Sequence, residues 1–198
     1  MSRRDELLAL LVNLSDNDLR RVGAFVESLQ RDPARAAWAY DFIAHFEHAA
    51  KTASRDAAGM EIKIGDAICD GIARAALWEH PPVSGSASVS YLVPIPHGLR
   101  GAQLKFAIGI RDGSELPADR FIAFRVLVND WKLWSAVKSS RAWQDHSVAM
   151  PQLGSDVARI EFVTDGLGDN RWNWAVWGEP RLIGQIGNLP NTFKGDEE

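Results

Sequence analysis

The hydrophobic pattern changes period once along the chain, from steps of three and four residues to steps of two. Leu7, Leu8, Leu10, Leu11 and Leu14 share one broad helical face, and Leu19, Val22, Val26 and Leu29 recur at helical spacing with Arg20, Arg21 and Glu27 left for solvent. Ser2 with Asp5, and Ser15 with Asp18, supply polar start signals for these two helices. Asp32 before Pro33 predicts a third helix through Trp38, Tyr40, Phe42, Ile43 and Phe46, since a capping side chain followed by proline opens a helix. His45 and His48 near its end are read as histidines favoured by the helix dipole rather than as metal ligands. Residues 1–50 are therefore expected to form a small helical head, and 51–59, polar and small-residued, a linker. A unit of that size buries little surface, so the head is expected to dock on the main domain or to oligomerise.

From Met60 onward the period is two. Ile62 and Ile64 alternate with Glu61 and Lys63, and Val89, Tyr91, Val93 and Ile95 form a second run ending between Pro94 and Pro96. Leu104, Phe106, Ile108 and Ile110 point one way with Gln103, Lys105 and Arg111 opposite, and Phe124, Val126 and Val128 repeat the alternation before the turn signal Asn129-Asp130. A weaker strand is expected around His146 to Met150. Residues 157–164 alternate, with Ile160 and Phe162 on one face, and a tryptophan-rich return strand carrying Trp172, Trp174 and Trp177 follows a Gly/Asp loop. The series predicts a mainly β protein, a sandwich or barrel over residues 60–187 preceded by the helical segment and followed by a polar acidic tail at 188–198. The absence of a helical pattern between strands and of a Gly-rich phosphate motif argues against alternating βαβ units and a dinucleotide fold.

Composition narrows the function classes. A net charge of −4 over 198 residues, without a Lys/Arg-rich run, argues against nucleic acid. The single cysteine, Cys69, excludes an internal disulfide framework and is expected as a small buried hydrophobe. No stretch reaches the roughly 18 apolar residues of a membrane span, and the N-terminus reads poorly as a signal peptide, so no membrane association and a cytoplasmic location are expected. Neither a nucleophile-elbow motif nor a paired-His helix motif is present, so an enzyme is not expected.

Four pieces in order carry a family resemblance across roughly Glu61 to Ile183: the Asp70-Gly71 opening, His80-Pro81-Pro82 leading into an alternating strand, LKFAIGIRDGSE followed by FRVLVND, and IEFVTDGLGDNRWNWAVWGEPRL. Together they resemble the NPCBM-like family of carbohydrate-binding modules, whose fold is a galactose-binding-like jelly roll. The resemblance implies a non-catalytic module with a glycan partner, and a metal by analogy. Asn173 stands where many relatives carry an acid, which takes one charge from a calcium site.

The residues suit that chemistry independently. Sugar recognition needs flat apolar surface against pyranose C–H faces and planar polar groups for hydroxyls. Six of the eight tryptophans lie between Trp131 and Trp177, among acids and arginines. The candidate ligand-binding residues are Trp131 and Trp134, expected as an exposed pair at a hairpin turn, with Asp165, Asp169, Asn170, Arg171 and Trp174. Asp165 and Asp169 are also the residues that calcium would use, although a Gly/Asp turn accounts for the same loop and calcium takes about six to eight oxygens. The other functional reading is an intracellular protein-interaction module whose helical head oligomerises or docks a partner.

Overall fold

The structure, a computed structural model, describes residues 36–53, 61–153, 156–169 and 171–187. The first two expected helices, part of the linker, Asn170 and the acidic tail lie outside the described residues. The chain runs through β1 (Ala36–Asp41), a short 3-10 turn (Phe46–His48), β2 (Ala50–Ala53), β3 (Ile62–Cys69), β4 (Ile72–Glu79) and β5 (Ser86–Pro94). It continues through β6 (Leu99–Ile110), β7 (Ile122–Val128), β8 (Trp131–Lys138), β9 (Gln144–Ala149), β10 (Val157–Asp165) and β11 (Ala175–Ile186). Among the described residues no helix is long and apolar enough to cross a membrane.

Two antiparallel sheets face each other as a jelly-roll sandwich. One has the order β3-β4-β11-β6-β9, with β1 also against β11; the other has the order β2-β5-β10-β7-β8. The period-two pattern explains the layering. Leu104, Phe106, Ile108 and Ile110 of β6 meet Phe124, Val126, Ile160 and Phe162 of the other sheet, all of them buried. Each such side chain contributes about 1.5–3 kcal/mol by leaving water. Trp177 is fully buried at the centre, 5.0 Å from Phe162, 5.1 Å from Phe124 and 5.4 Å from Phe106 between ring centroids, all edge-on. Edge-on pairing of this kind adds about 0.5–1.5 kcal/mol per pair beyond area.

Three expectations change. The third helix is replaced by β1 and a 3-10 turn, and β2 joins the second sheet beside β5, so the sandwich begins before residue 60 and includes part of what was expected as head and linker. Within Trp38-Ala39-Tyr40-Asp41-Phe42 the alternation is also period two; Trp38 and Tyr40 are half-buried and Phe42 wholly buried. Aromatic cross-sheet packing outweighs the Asp-Pro start signal. Asp41 then caps the turn rather than a helix, its Oδ1 accepting from Ile43 N at 2.9 Å and Ala44 N at 3.2 Å. His45, whose Nδ1 lies 2.7 Å from the Asp41 carbonyl oxygen, stacks on Tyr40.

The second change concerns the closing stretch. β11 starts at Ala175, so Trp172 and Trp174 belong to the preceding loop and only Trp177 is in the strand. Trp172 has a φ of 63°, outside the extended region of a regular strand.

The third is Trp134. A register shift in β8 pairs Leu127 with Lys132 but Val126 with Trp134. The extra residue turns Trp134 inward, where it packs 4.8 Å from Phe106 and 4.5 Å from His146, so the expected exposed pair is split.

The β3–β4 hairpin reaches over the outer face of its own sheet. Asp112, just beyond β6, accepts from Asp70 N at 2.8 Å and Gly71 N at 2.9 Å at the hairpin tip, and Trp143 Nε1 donates to the Ile72 carbonyl at 2.9 Å. Cys69 is buried beneath that tip as expected, and burial pushes its thiol up to about 12. Gly109 and Gly178 make room for the Trp143 ring: a Cβ on either would sit 2.8–2.9 Å from it.

Candidate functional site

At one end of the sandwich the β6–β7 loop (111–121) meets the β10–β11 loop (166–174). The seam between them is polar and local. Ser114, almost fully buried, donates from Oγ to the Trp172 carbonyl at 2.6 Å and accepts from Leu116 N at 3.2 Å. Gly166 is required where the loop folds on itself, because a Cβ there would stand 2.4 Å from the Asp169 carbonyl oxygen. Asn173, buried, donates its side-chain amide to that same carbonyl. These contacts satisfy the loop backbone without a regular element.

Two carboxylates organise the loop. Asp165 Oδ1 accepts from Leu167 N at 2.8 Å, which closes the turn, while Oδ2 pairs with Arg125 at 3.1 Å. Asp169 accepts from Arg171 Nη2 at 2.8 Å and Arg171 N at 2.9 Å, and Arg120 Nη1 lies 3.3 Å away. The Arg171 side chain and backbone amide hold the Asp169 carboxyl well below the usual carboxylate range, with Arg120 adding to the effect. Its partnership raises Arg171 in turn.

That donor set does not fit calcium. Both carboxylates face guanidinium cations, and Asn173 turns an N–H toward the Asp169 carbonyl, whereas calcium needs converging oxygens. Among the described residues no three His, Cys, Asp or Glu side chains gather as a metal-ligating group.

The loops enclose a cavity of about 180 Å³ lined by Glu115, Leu116, Arg120, Phe121, Asp169 and Trp172, among others. Trp172 (39% exposed) and Phe121 (44%) present aromatic surface at its rim, and the Leu167 side chain stands out beside them. Trp174 supports Trp172 from behind at 5.6 Å and lies over Gly113, whose added Cβ would come within 3.1 Å of its ring. Behind Trp174 a stack continues: the Arg111 guanidinium lies 5.2 Å from the Trp174 centroid and 3.5 Å from that of Trp78, and Lys63 covers Trp78 at 4.2 Å. Cation–π contacts of this kind hold the aromatic rings in place. His80 stacks near Trp78, and burial pushes its imidazole down to about 4, so it is neutral here at physiological pH.

The fold thus brings together Asp165, Asp169, Arg171 and Trp174, with Asn170 outside the described residues. Trp131 and Trp134 are not part of this cluster. Trp131, 82% exposed, follows the Asn129-Asp130 turn at the far end of β7, about 20 Å away by strand rise over six residues. Phe121, Glu115 and Arg120 were legible only as a charged loop between two strands. Trp172 was visible as one of the clustered tryptophans, but the loop conformation that exposes it leaves no mark in an alternation pattern.

A larger recess of about 740 Å³ lies around Pro96, Leu99, Met150 and Leu153. It has no tryptophan, tyrosine or phenylalanine in its lining and adjoins residues 154–155, outside the described set. The candidate site is therefore the smaller cavity, where aromatic rings and paired polar groups converge.

The two facing antiparallel sheets define the architecture as a jelly-roll β-sandwich. Among solved structures, the CBM51 module from Clostridium perfringens GH95, in complex with methyl-galactose, superposes with a TM-score of 0.50 at 9% identity, covering 73% of this chain and 99% of that chain. The CBM51-2 and INT domains of Clostridium perfringens ZmpB give 0.48 at 12% identity, covering 69% of this chain and 30% of that one. TmCBM61 in complex with β-1,4-galactotriose gives 0.46 at 14%, covering 72% and 92%. No protein-family model matches the sequence, and no curated protein matches it. At these identities the likeness is one of fold.

Proposed function

We propose that this chain is a non-catalytic module that binds carbohydrate at the loop end between residues 111–121 and 166–174. The carrying observation is the exposed Trp172 ring beside a cavity edged by Phe121, Glu115, Arg120 and the Asp169–Arg171 pair. A tryptophan face and fixed planar donors and acceptors match the C–H faces and hydroxyls of a pyranose. The jelly-roll fold, shared with a module solved with methyl-galactose, supports the same reading, although a fold by itself names no ligand.

The chemistry of the cluster supports binding over turnover. The two carboxylates that organise the loop, Asp165 and Asp169, are each paired with an arginine. Calorimetric titration of the full chain with methyl-galactose, alongside a glycan array, tests the proposal. The expected result is saturable binding with Kd of about 1 mM or tighter, weakened at least tenfold by Trp172→Ala, and no turnover of any bound glycan. A folded sample that binds no neutral or acidic glycan at millimolar concentration overturns it.

A further inference from the structure

The outer face of the β3-β4-β11-β6-β9 sheet carries a second recess of about 420 Å³, well away from the loop-end cavity in its lining residues. Ladder register places its parts in two rows across three strands. Gly178 pairs with Ala107, which pairs with Asp145; Arg181 pairs with Lys105, which pairs with Ser147. Partners in an antiparallel ladder share a face, so Gly178 and Ala107 of the first row form a small-residue floor that ends at Asp145, and the second row forms a polar wall. Opposite that wall stand Arg74 and the Trp143 ring beneath the β3–β4 tip, with Arg74 5.4 Å from the ring centroid and bound to Asp145 through two contacts of 2.5 and 3.2 Å. The result is a trough running across β11, β6 and β9.

Its β11 side is shaped by a bulge. Between Gly178 and Arg181 the β11 strand holds one residue more than β6, and Glu179 sits there at φ 44°, unusual for a residue other than glycine. The bulge takes Glu179 out of the ladder and leaves it exposed at the trough, without an ion-pair partner among the described residues. Such strained positions persist where surrounding structure holds them and collect at binding sites. Lys105 likewise has no ion pair among the described residues, although it is exposed in the same trough.

We infer that this trough is a second carbohydrate-binding cleft, taking a short neutral oligosaccharide laid across the three strands. The inference rests on the reading of the chain as a glycan-binding module and adds a site separate from the loop end. The charge balance selects the class. Arg74, Lys105 and Arg181 line the trough with Asp145 and Glu179, and Asp41, outside the lining, offsets Arg181 from 3.6 Å, so the charges nearly cancel. That balance favours neither a phosphate nor a sulfated or uronate sugar. The mixture of fixed donors and acceptors over a shallow floor suits hydroxyl groups, and the volume lies within the range of about 300–1,000 Å³ typical of small-ligand sites.

The test uses the full chain on an array of neutral hexose and N-acetylhexosamine di- to tetrasaccharides, with sulfated and uronate saccharides included. Four proteins are compared: wild type, Trp172→Ala, Lys105→Ala with Glu179→Gln, and all three substitutions together. Thermal melts confirm that each is folded, which is expected because all three side chains are on the surface. The expected result is that Trp172→Ala retains binding to some neutral oligosaccharides and that the triple variant loses that residual binding at least tenfold. Loss of all binding with Trp172→Ala overturns the trough and leaves the loop-end reading standing. So does residual binding that is indifferent to the Lys105 and Glu179 changes. Residual binding confined to acidic saccharides overturns the neutral class. Binding unaffected by Trp172→Ala but abolished by the trough variant supports the trough and overturns the loop-end site. If wild type binds nothing on the array, both readings fail.

Discussion

Trp172 and Trp177 belong to one tryptophan-rich run, yet they occupy opposite kinds of environment. Trp177 is fully enclosed, ringed by Phe106, Phe124 and Phe162, and its indole N–H donates to Glu79 Oε2 at 2.6 Å inside the core. Trp172 stands at the rim of the loop-end cavity in a left-handed backbone conformation. The difference comes from where the ladder begins. At Ala175 the chain joins β6, and from there alternate residues enter the dry interlayer; before it, the loop is held by Ser114, Gly166 and Asn173 instead. One region is specified by packing and the other by hydrogen bonds and paired charges, so the two should respond differently to perturbation.

The largest effect is expected for Trp177→Ala. It empties the centre of the aromatic cluster and leaves Glu79 Oε2 without its donor, so urea unfolding should show a loss of about 3–5 kcal/mol. A loss below about 1 kcal/mol would mean that the core does not depend on this ring.

Glu79 sharpens the same contrast through pH. Burial raises its carboxyl well above the ordinary value of 4.5, despite the opposing indole hydrogen bond. The folded state therefore holds this proton more tightly than the unfolded chain does. The associated stability is complete below the unfolded carboxyl range and is lost as pH rises from there toward the raised folded value. Glu79→Gln keeps an oxygen for the indole N–H and removes the proton. Unfolding free energies measured from pH 4 upward should fall more steeply for wild type than for the variant, by up to about 1.4 kcal/mol per pH unit. Parallel curves would place the carboxyl in a more polar setting than its burial implies. The Asp169–Arg171 pair at the loop end should show no comparable stability term, because it is exposed and solvent-screened.

For Trp172→Ala the expectation reverses. Unfolding should change by less than about 1 kcal/mol while glycan affinity drops at least tenfold, as read by calorimetry beside the urea curves. A large loss of stability would show that this ring also packs. The smallest effect is expected for Trp131→Ala. Its ring is mostly in water at the far end of β7, and both stability and binding should stay within about 0.5 kcal/mol of wild type.

Alternation was enough to predict a strand-rich body and most of its inner face. Leu104 to Ile110, Phe124 to Val128, and Ile160 with Phe162 are buried as their period-two spacing requires, and β9 and β10 lie where expected. The same periodicity was present in Trp38 to Phe42, where a strong helix-start signal hid it. Inward and outward are local properties of a strand, so a sequence carries them directly. Net charge sums over residues wherever they fold, so the balance of −4 was also legible in the sequence.

Only the tertiary structure decided which tryptophans do what. One extra residue in β8 turned Trp134 into the core, and a single left-handed residue before β11 brought Trp172 to a loop rim. The Asp165–Arg171 loop was legible as a Gly/Asp turn, but its carboxylates are answered by Arg125 and Arg120 from distant segments, a donor set that does not fit calcium. The trough across β11, β6 and β9 arises from ladder register and a bulge joining parts of the chain that lie far apart in sequence. Register is set by the packing of whole sheets against each other, so no single stretch of residues contains it.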